Sequence, residues 1–261
     1  MSTVPSEKQN TWFGVSMFLM GVIAGAILMT ASGATGFSLK GKTNNAARDL
    51  PTPTPTAQQS SSAPEVSVQE RMMAIAKEIG VNEQKFKECI ESDKYKQKIA
   101  DEEAGGAQAG VTGTPGTILY NVKTKNGVVI SGAQPIASFK KYVDAMIKNP
   151  SYKVVAGDQG AQQAQNVIAV DTATEHIRGN KNAQLAIIEY SDYQCPFCHR
   201  VHPTEKQLVA DYGDKVMWVF RHFPLSFHPD AEPFAIGAEC ASEIGGNDAF
   251  WTFTDKVMEG A

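Results

Sequence analysis

No single charge sign dominates this sequence. Its 24 Lys and Arg stand against 28 Asp and Glu, for a formal net charge of −4 with both signs scattered. Such a distribution offers no basic face to a nucleic-acid backbone. Cysteine is scarce: four residues in 261 allow two disulfides at most. In an oxidising compartment that number suits one working bond and one structural bond. Charge is missing altogether from Trp12 to Ala31. About 20 uncharged residues at about 1.5 Å each are enough to cross a bilayer. A cleavable leader has a shorter apolar stretch, about 7–15 residues, behind a positive start, and here only Lys8 beside Glu7 precedes the run. The expectation is a tail over 1–11 and an uncleaved membrane anchor over 12–31. Gly21 and Gly25 form a G-x-x-x-G pair inside it, which is ordinary composition for a membrane helix.

Residues 32–65 lack the apolar content to fold. Pro51-Thr52-Pro53-Thr54-Pro55-Thr56 and the following Gln/Ser run read as a tether, extended at the prolines and flexible beyond them. Lys40, Lys42 and Arg48 follow the anchor, so the positive-inside tendency leans against an N-inside orientation. The cysteine chemistry below argues the opposite way and places the C-terminal bulk outside the cytoplasm.

Order begins near Ser67. Ser67-Val68-Gln69-Glu70 has the spacing of a capping box, and Met72, Ile75, Ala76 and Ile79 follow as an apolar stripe ending at Gly80. Asn82 caps a second helix with Phe86, Cys89 and Ile90 on one face. A third runs from Lys94 to Ala104, loosened by Gly105 and Gly106. Two strands, 117–120 and 128–131, flank a turn at Asn126-Gly127. An amphipathic helix carries Phe139, Tyr142, Val143, Met146 and Ile147. A polar connector covers 150–166. The second block opens with a short strand at 167–170. It continues with a buried strand at 185–190, a helix to about Tyr212, a strand at 216–220, and helices at 233–243 and 248–258.

The chemistry lies where the 185–190 strand ends, at Cys195-Pro196-Phe197-Cys198. A C-x-x-C between a buried strand and a helix places a dithiol for electron exchange. Cys195 at the helix start would be held as thiolate by unpaired amides and the helix dipole. Pro196 suits the first helical position, and Cys198, one turn inward, would be the resolving thiol. Three other readings remain open for the same residues. Cys195-x-x-Cys198-His199 is also a c-type haem attachment pattern. The two cysteines with His199 and His202 could bind zinc. The bond could also be purely structural.

Ile187 through Cys198 resembles the active-site region of the DsbA-like thiol–disulfide oxidoreductases. Val216–Pro224 resembles the strand that follows it, Gly110–Thr117 the family's cis-proline loop, and Ser131–Pro135 the turn into its last helix. The resemblance implies an α/β, thioredoxin-like fold with a helical insertion over 66–261, and no cofactor or metal. It assigns catalysis to Cys195 and Cys198 and a proton relay to Glu189, buried under the dithiol. Thr114 and a cis Pro115, with Pro196 and Phe197, would bind an extended substrate chain. The residue between the cysteines at 197 is phenylalanine, where the best-known members have histidine, which leaves the redox potential open. Some branches of the family staple the helical insertion, which implies a Cys89–Cys240 disulfide. The implied partners are reduced secreted or cell-envelope proteins and a quinone-linked membrane reoxidase, with the protein anchored by a single span in a bacterial-type envelope. The same fold also serves reductases and isomerases.

The order of parts is unusual. The cis-proline half (66–149) precedes the C-x-x-C half (167–261), whereas the family has them reversed. The expectation is a circular permutation, with 150–166 joining the family's usual ends. A domain-swapped pair of chains and a fragment of a tandem protein are the alternatives.

Overall fold

The computed structural model describes residues 66–260. The anchor expected at 12–31 and the tether at 32–65 lie outside the described residues. Among the described residues, no helix is long and apolar enough to cross a membrane.

Three helices come first: α1 (Val68–Glu78), α2 (Glu83–Ile90) and α3 (Lys96–Ala109). The capping box is formed on both sides: the Glu70 amide donates to Ser67 Oγ at 3.2 Å, and the Ser67 amide donates to Glu70 Oε2 at 2.9 Å. Asn82 Oδ1 accepts from the Lys85 amide at 2.9 Å and starts α2. The hairpin β1 (Gly116–Asn121) and β2 (Asn126–Ser131) follows, then α4 (Ile136–Lys148) and a three-residue strand β3 (Ala161–Gln163). The second block contains β4 (His176–Gly179), β5 (Leu185–Ser191), α5 (Pro196–Tyr212), β6 (Val216–His222) and α6 (Ala231–Glu259). Gly246 (φ 73°, ψ −168°) breaks α6 into two segments, at the place where the sequence separates two helices.

The six strands lie in one mixed sheet in the order β3-β2-β1-β5-β6-β4. β5 and β6 are parallel, and β1 runs antiparallel to β5 with Gly116 opposite Tyr190 and Thr117 opposite Glu189. This register sets the start of β1 beside the end of β5, so the loop before β1 meets the loop after β5. Every residue of β5 and β6 is buried, as in strands covered on both faces. Leu185, Ile187, Trp218 and Phe220 point into a core with α1, α4, α5 and α6; Ala186, Ile188, Tyr190, Met217 and Val219 point into a smaller one on the other face. Period-2 alternation places Glu189 on the larger core's side.

Three local expectations are corrected. The third helix does not loosen at Gly105 and Gly106 but runs on to Ala109, with both glycines buried. A Cβ on Gly106 would stand 2.6 Å from a Tyr190 ring carbon, so this glycine serves close packing and not a helix end. Gly106→Ala is therefore expected to destabilise the fold by about 1–3 kcal/mol; an unchanged denaturation midpoint would contradict this. Residues 167–170 form no strand. The Ile168 and Ala169 carbonyls instead accept from the Arg221 guanidinium at 3.1 and 3.5 Å, while Val167 and Val170 pack on the smaller core. The polar connector carries β3, whose Gln163 side chain donates to Gly127 O at 2.6 Å and Asn126 Oδ1 at 2.9 Å. β4, with its mixed sequence His-Ile-Arg-Gly, had no strand signature; it is held on the β6 edge and by a two-pronged Arg178–Asp255 pair at 3.0 and 2.8 Å.

Candidate active site

After β5 the chain turns sharply before entering α5. Asp192, almost fully buried, fixes that turn: its carboxylate accepts from the Gln194 amide at 2.7 Å, the Leu225 amide at 2.8 Å and His228 Nδ1 at 2.8 Å. Cys195 then caps α5 and Pro196 takes its first turn. Cys195 is only 3% exposed and Cys198 is fully buried, whereas Phe197 is half exposed beside them. Both sulfurs are free thiols here.

The loop before β1 supplies the facing wall. Thr114–Pro115 is a cis peptide, and the Gly132 amide anchors Pro115 O at 2.8 Å. The Cys195 thiol donates to Thr114 O at 3.5 Å, bringing together two residues 81 positions apart. Pro196 and Phe197, which follow Cys195 at the start of α5, are both exposed.

The two thiols differ strongly in acidity. Cys195 is pushed down to about 5, chiefly by a hydrogen bond from Cys198, with further contributions from Thr114 and the Cys198 and Phe197 backbone. Burial pushes Cys198 well up, and the hydrogen bond to Cys195 and the Glu189 charge add to the effect. The pair thus has one thiolate at the edge and one proton-bearing thiol behind it, with the Asp192 amide donating to the inner sulfur at 3.5 Å. An ordinary thiol ionises near pH 8.5. The folded-state value of Cys195 is lower, so its thiolate stabilises the reduced fold above that ordinary value, and the contribution is lost as pH falls through about 5. Alkylation of Cys195 in the reduced protein is expected to rise with a midpoint near pH 5; a midpoint between 8 and 9 would contradict this arrangement.

Glu189 is buried beneath the dithiol, with Trp218 Nε1 donating to its Oε2 at 3.2 Å. A second acid joins it that was not singled out from sequence. Glu205, on α5, is also fully buried and accepts from Thr117 Oγ1 at 2.8 Å. Burial, followed by the neighbouring Glu189, pushes Glu205 well up. The helical period could have revealed it, since Cys198, Val201, His202, Glu205 and Leu208 share the inward stripe of α5.

The two histidines of the zinc reading are engaged elsewhere. His199 Nε2 meets Tyr193 O at 2.7 Å, and His202 is buried with Nε2 on Asp255 at 2.8 Å. Among the described residues, His202, Asp255 and Glu259 bring possible ligand atoms within 4.8 Å of one another. Arg178 and Lys206 already pair with these acids, which removes the charge that would attract a metal ion. Cys89 and Cys240 are joined as a disulfide between α2 and α6, with Cα atoms 5.8 Å apart.

Known families divide along the same line as the chain. Residues 60–144 match the family model described as a DSBA-like thioredoxin domain, and residues 171–260 match the one described as thioredoxin. The chain is a DsbA-like member of the thioredoxin superfamily. Among curated relatives of this DsbA-like chain, the Na(+)/H(+) antiporter NhaA 3 of Salinispora tropica is 38% identical over 93 residues, 35% of this chain and 14% of the antiporter. The Na(+)/H(+) antiporter NhaA 1 of Mycolicibacterium gilvum is 38% identical over 90 residues, 34% of this chain and 14% of that protein. The chain therefore spans about one-seventh of the length of these relatives. A crystal structure of Pseudomonas aeruginosa DsbA2 shares 38% identity with a segment covering 33% of this chain and 47% of that one, at a TM-score of 0.31.

Proposed function

We propose that this protein is a thiol–disulfide oxidoreductase acting outside the cytoplasm through Cys195 and Cys198. The observation that carries the reading is the Cys195 sulfur 3.5 Å from Thr114 O of the cis-proline loop, with Cys198 fully buried and the two thiols pushed apart in acidity. A substrate thiolate attacks the oxidised Cys195 sulfur, and the Cys195–Cys198 bond breaks. The electron pair and a proton go to Cys198, leaving a mixed disulfide at Cys195. A second substrate thiol then attacks the substrate's sulfur and Cys195 departs as thiolate. The substrate is oxidised and the enzyme reduced by two electrons. A low-pKa leaving thiol favours this direction, which supports oxidase over reductase or isomerase. Thr114 and Pro115 would align the substrate's extended backbone, and Pro196 and Phe197 its side chains. Glu189 would pass the proton to and from Cys198.

The substrates on this reading are reduced secreted or cell-envelope proteins. A quinone-linked membrane partner would restore the disulfide, with residues 12–31 as the anchor. The reversed order of halves reads as a circular permutation within one chain. The pairing of β1 with β5 over six residue positions joins the two halves in one sheet, as this reading requires. Cys89–Cys240 would be the structural bond that ties the two parts of the helical layer together.

The test is oxidation of a reduced, unfolded disulfide protein, monitored by its recovered activity. The protein should accelerate it, and Cys195→Ala should reduce the rate to background. Acceleration retained by that variant would sink the reading.

A further inference from the structure

Two carboxyl groups buried side by side cannot both be charged without a large desolvation and repulsion cost. Glu189 on β5 and Glu205 on α5 are both completely buried. Each has one oxygen matched to a donor: Trp218 Nε1 for Glu189 Oε2 and Thr117 Oγ1 for Glu205 Oε1. The other oxygen of each, Glu189 Oε1 and Glu205 Oε2, is buried without a donor, and the two acids are neighbours, since Thr117, the donor to Glu205, stands directly opposite Glu189 in the β1–β5 register. Two facing acceptors are satisfied only by a proton between them. Thr117 belongs to the strand that starts from the cis-proline loop, Trp218 to β6, and Glu205 to the helix that carries the dithiol, so the pair is clamped by three elements of the site. The other titratable side chains near it are Cys195, Cys198, Tyr193 and His202; the Tyr193 hydroxyl bonds Thr254 and His202 bonds Asp255.

We propose that Glu205 is a positioning residue for the exchange reaction, keeping its own proton and donating it in a hydrogen bond that holds Glu189 ready to exchange a proton with Cys198. The inference rests on the oxidoreductase reading. When a substrate thiolate opens the Cys195–Cys198 bond, the electron pair goes to the Cys198 sulfur and Glu189 gives it a proton. The carboxyl pair passes from two protons to one. In the reverse step, Cys198 gives its proton to Glu189 and attacks the Cys195 sulfur of the mixed disulfide, and the other sulfur leaves with the electron pair. Glu205 remains neutral throughout, so the pair never carries more than one charge. Without Glu205, a buried Glu189 anion would lose its strongest donor. The carboxylate form that accepts the Cys198 proton would then be less favoured.

The test uses the reduced full-length chain and oxidised glutathione. Cys195 takes the first glutathione as a mixed disulfide, and attack by Cys198 releases it; the release rate is followed across pH 5–9. Glu205→Gln retains an N–H for Glu189 and an acceptor for Thr117, so its profile should overlay the wild type. Glu205→Leu should shift the midpoint upward by about one pH unit and slow release about ten-fold at pH 7. Thr117→Val, which disturbs the fold less, should shift it in the same direction by a smaller amount. A wild-type profile in the leucine variant would overturn the inference, as would a shift in the glutamine variant equal to that of leucine. If the leucine variant does not fold, an unshifted profile in Thr117→Val would do the same. Absence of release from the wild type would overturn the oxidoreductase reading and this inference with it.

Discussion

Cys198→Ala is expected to leave a protein that captures one substrate and keeps it. Cys195 would remain the exposed-side nucleophile at the start of α5, although the hydrogen bond from Cys198 that does most to lower its pKa would be lost. It would still attack an accessible disulfide and form a mixed disulfide. The buried thiol that releases such an adduct by closing the enzyme's own Cys195–Cys198 bond, the bond oxidase turnover starts from, would be gone, and no other free cysteine exists among the described residues. Turnover should fall by about 100-fold or more, while a band of protein linked to substrate accumulates on non-reducing gels and disappears with reductant. The contrast with Cys195→Ala separates the two roles, since that variant should form no adduct at all. Sustained turnover by Cys198→Ala would mean that the inner sulfur is not the resolving group.

The second large effect concerns the other pair of cysteines. Cys89 and Cys240 are 151 residues apart in the chain, so their bond closes a long loop in the unfolded state. It connects α2, from the block before the sheet, to the first segment of α6, from the block after it. Chain-entropy arguments give more stabilisation to a longer loop. Replacing both residues with alanine is expected to cost about 2–5 kcal/mol of stability and to lower the melting temperature by about 5–15 °C. The dithiol lies elsewhere, between α5 and the cis-proline loop, so exchange activity below the new melting temperature should persist. An unchanged melting temperature would show that apolar packing of α1, α2 and α6 holds this layer without the bond. Loss of activity in a fully folded double variant would show that the bond takes part in exchange.

The sequence was most readable where local chemistry and long-range packing agree. Leu185–Ser191 is buried on both faces and apolar apart from Glu189 and Ser191, so the Leu-Ala-Ile-Ile run identified a central strand. Cys195 and Pro196 satisfy the rules for a helix start by themselves, and Ser67 with Glu70 does the same for α1. Gly246 interrupts α6 between two apolar segments that are legible separately. Elsewhere the decisive partner was far away in the chain. β4 exists because β6 offers an open edge, and β3 because β2 does; neither has an apolar pattern of its own. Val167–Val170 has the composition of a strand, but its carbonyls are taken by Arg221. Gly105 and Gly106 look like a helix stop in one dimension and are contact points for Ile168 and Tyr190 in three. Glu205 was hidden for a similar reason. An acid on a helix is usually solvent-facing; the helical period places Glu205 on the inward stripe of α5, and the Thr117 hydroxyl supplies the partner that its burial needs.

The most direct test of the whole account is exchange activity in the monomer. The described residues belong to one compact unit; a segment from 60 to 261 can be purified on a sizing column, with the monomer peak assayed against a reduced, unfolded protein and Cys195→Ala run in parallel. The account predicts cysteine-dependent oxidation by the monomer, because Thr114–Pro115 from one half and Cys195 from the other meet within a single chain. Activity confined to a dimer peak, or a folded monomer no faster than its Cys195→Ala variant, would contradict it.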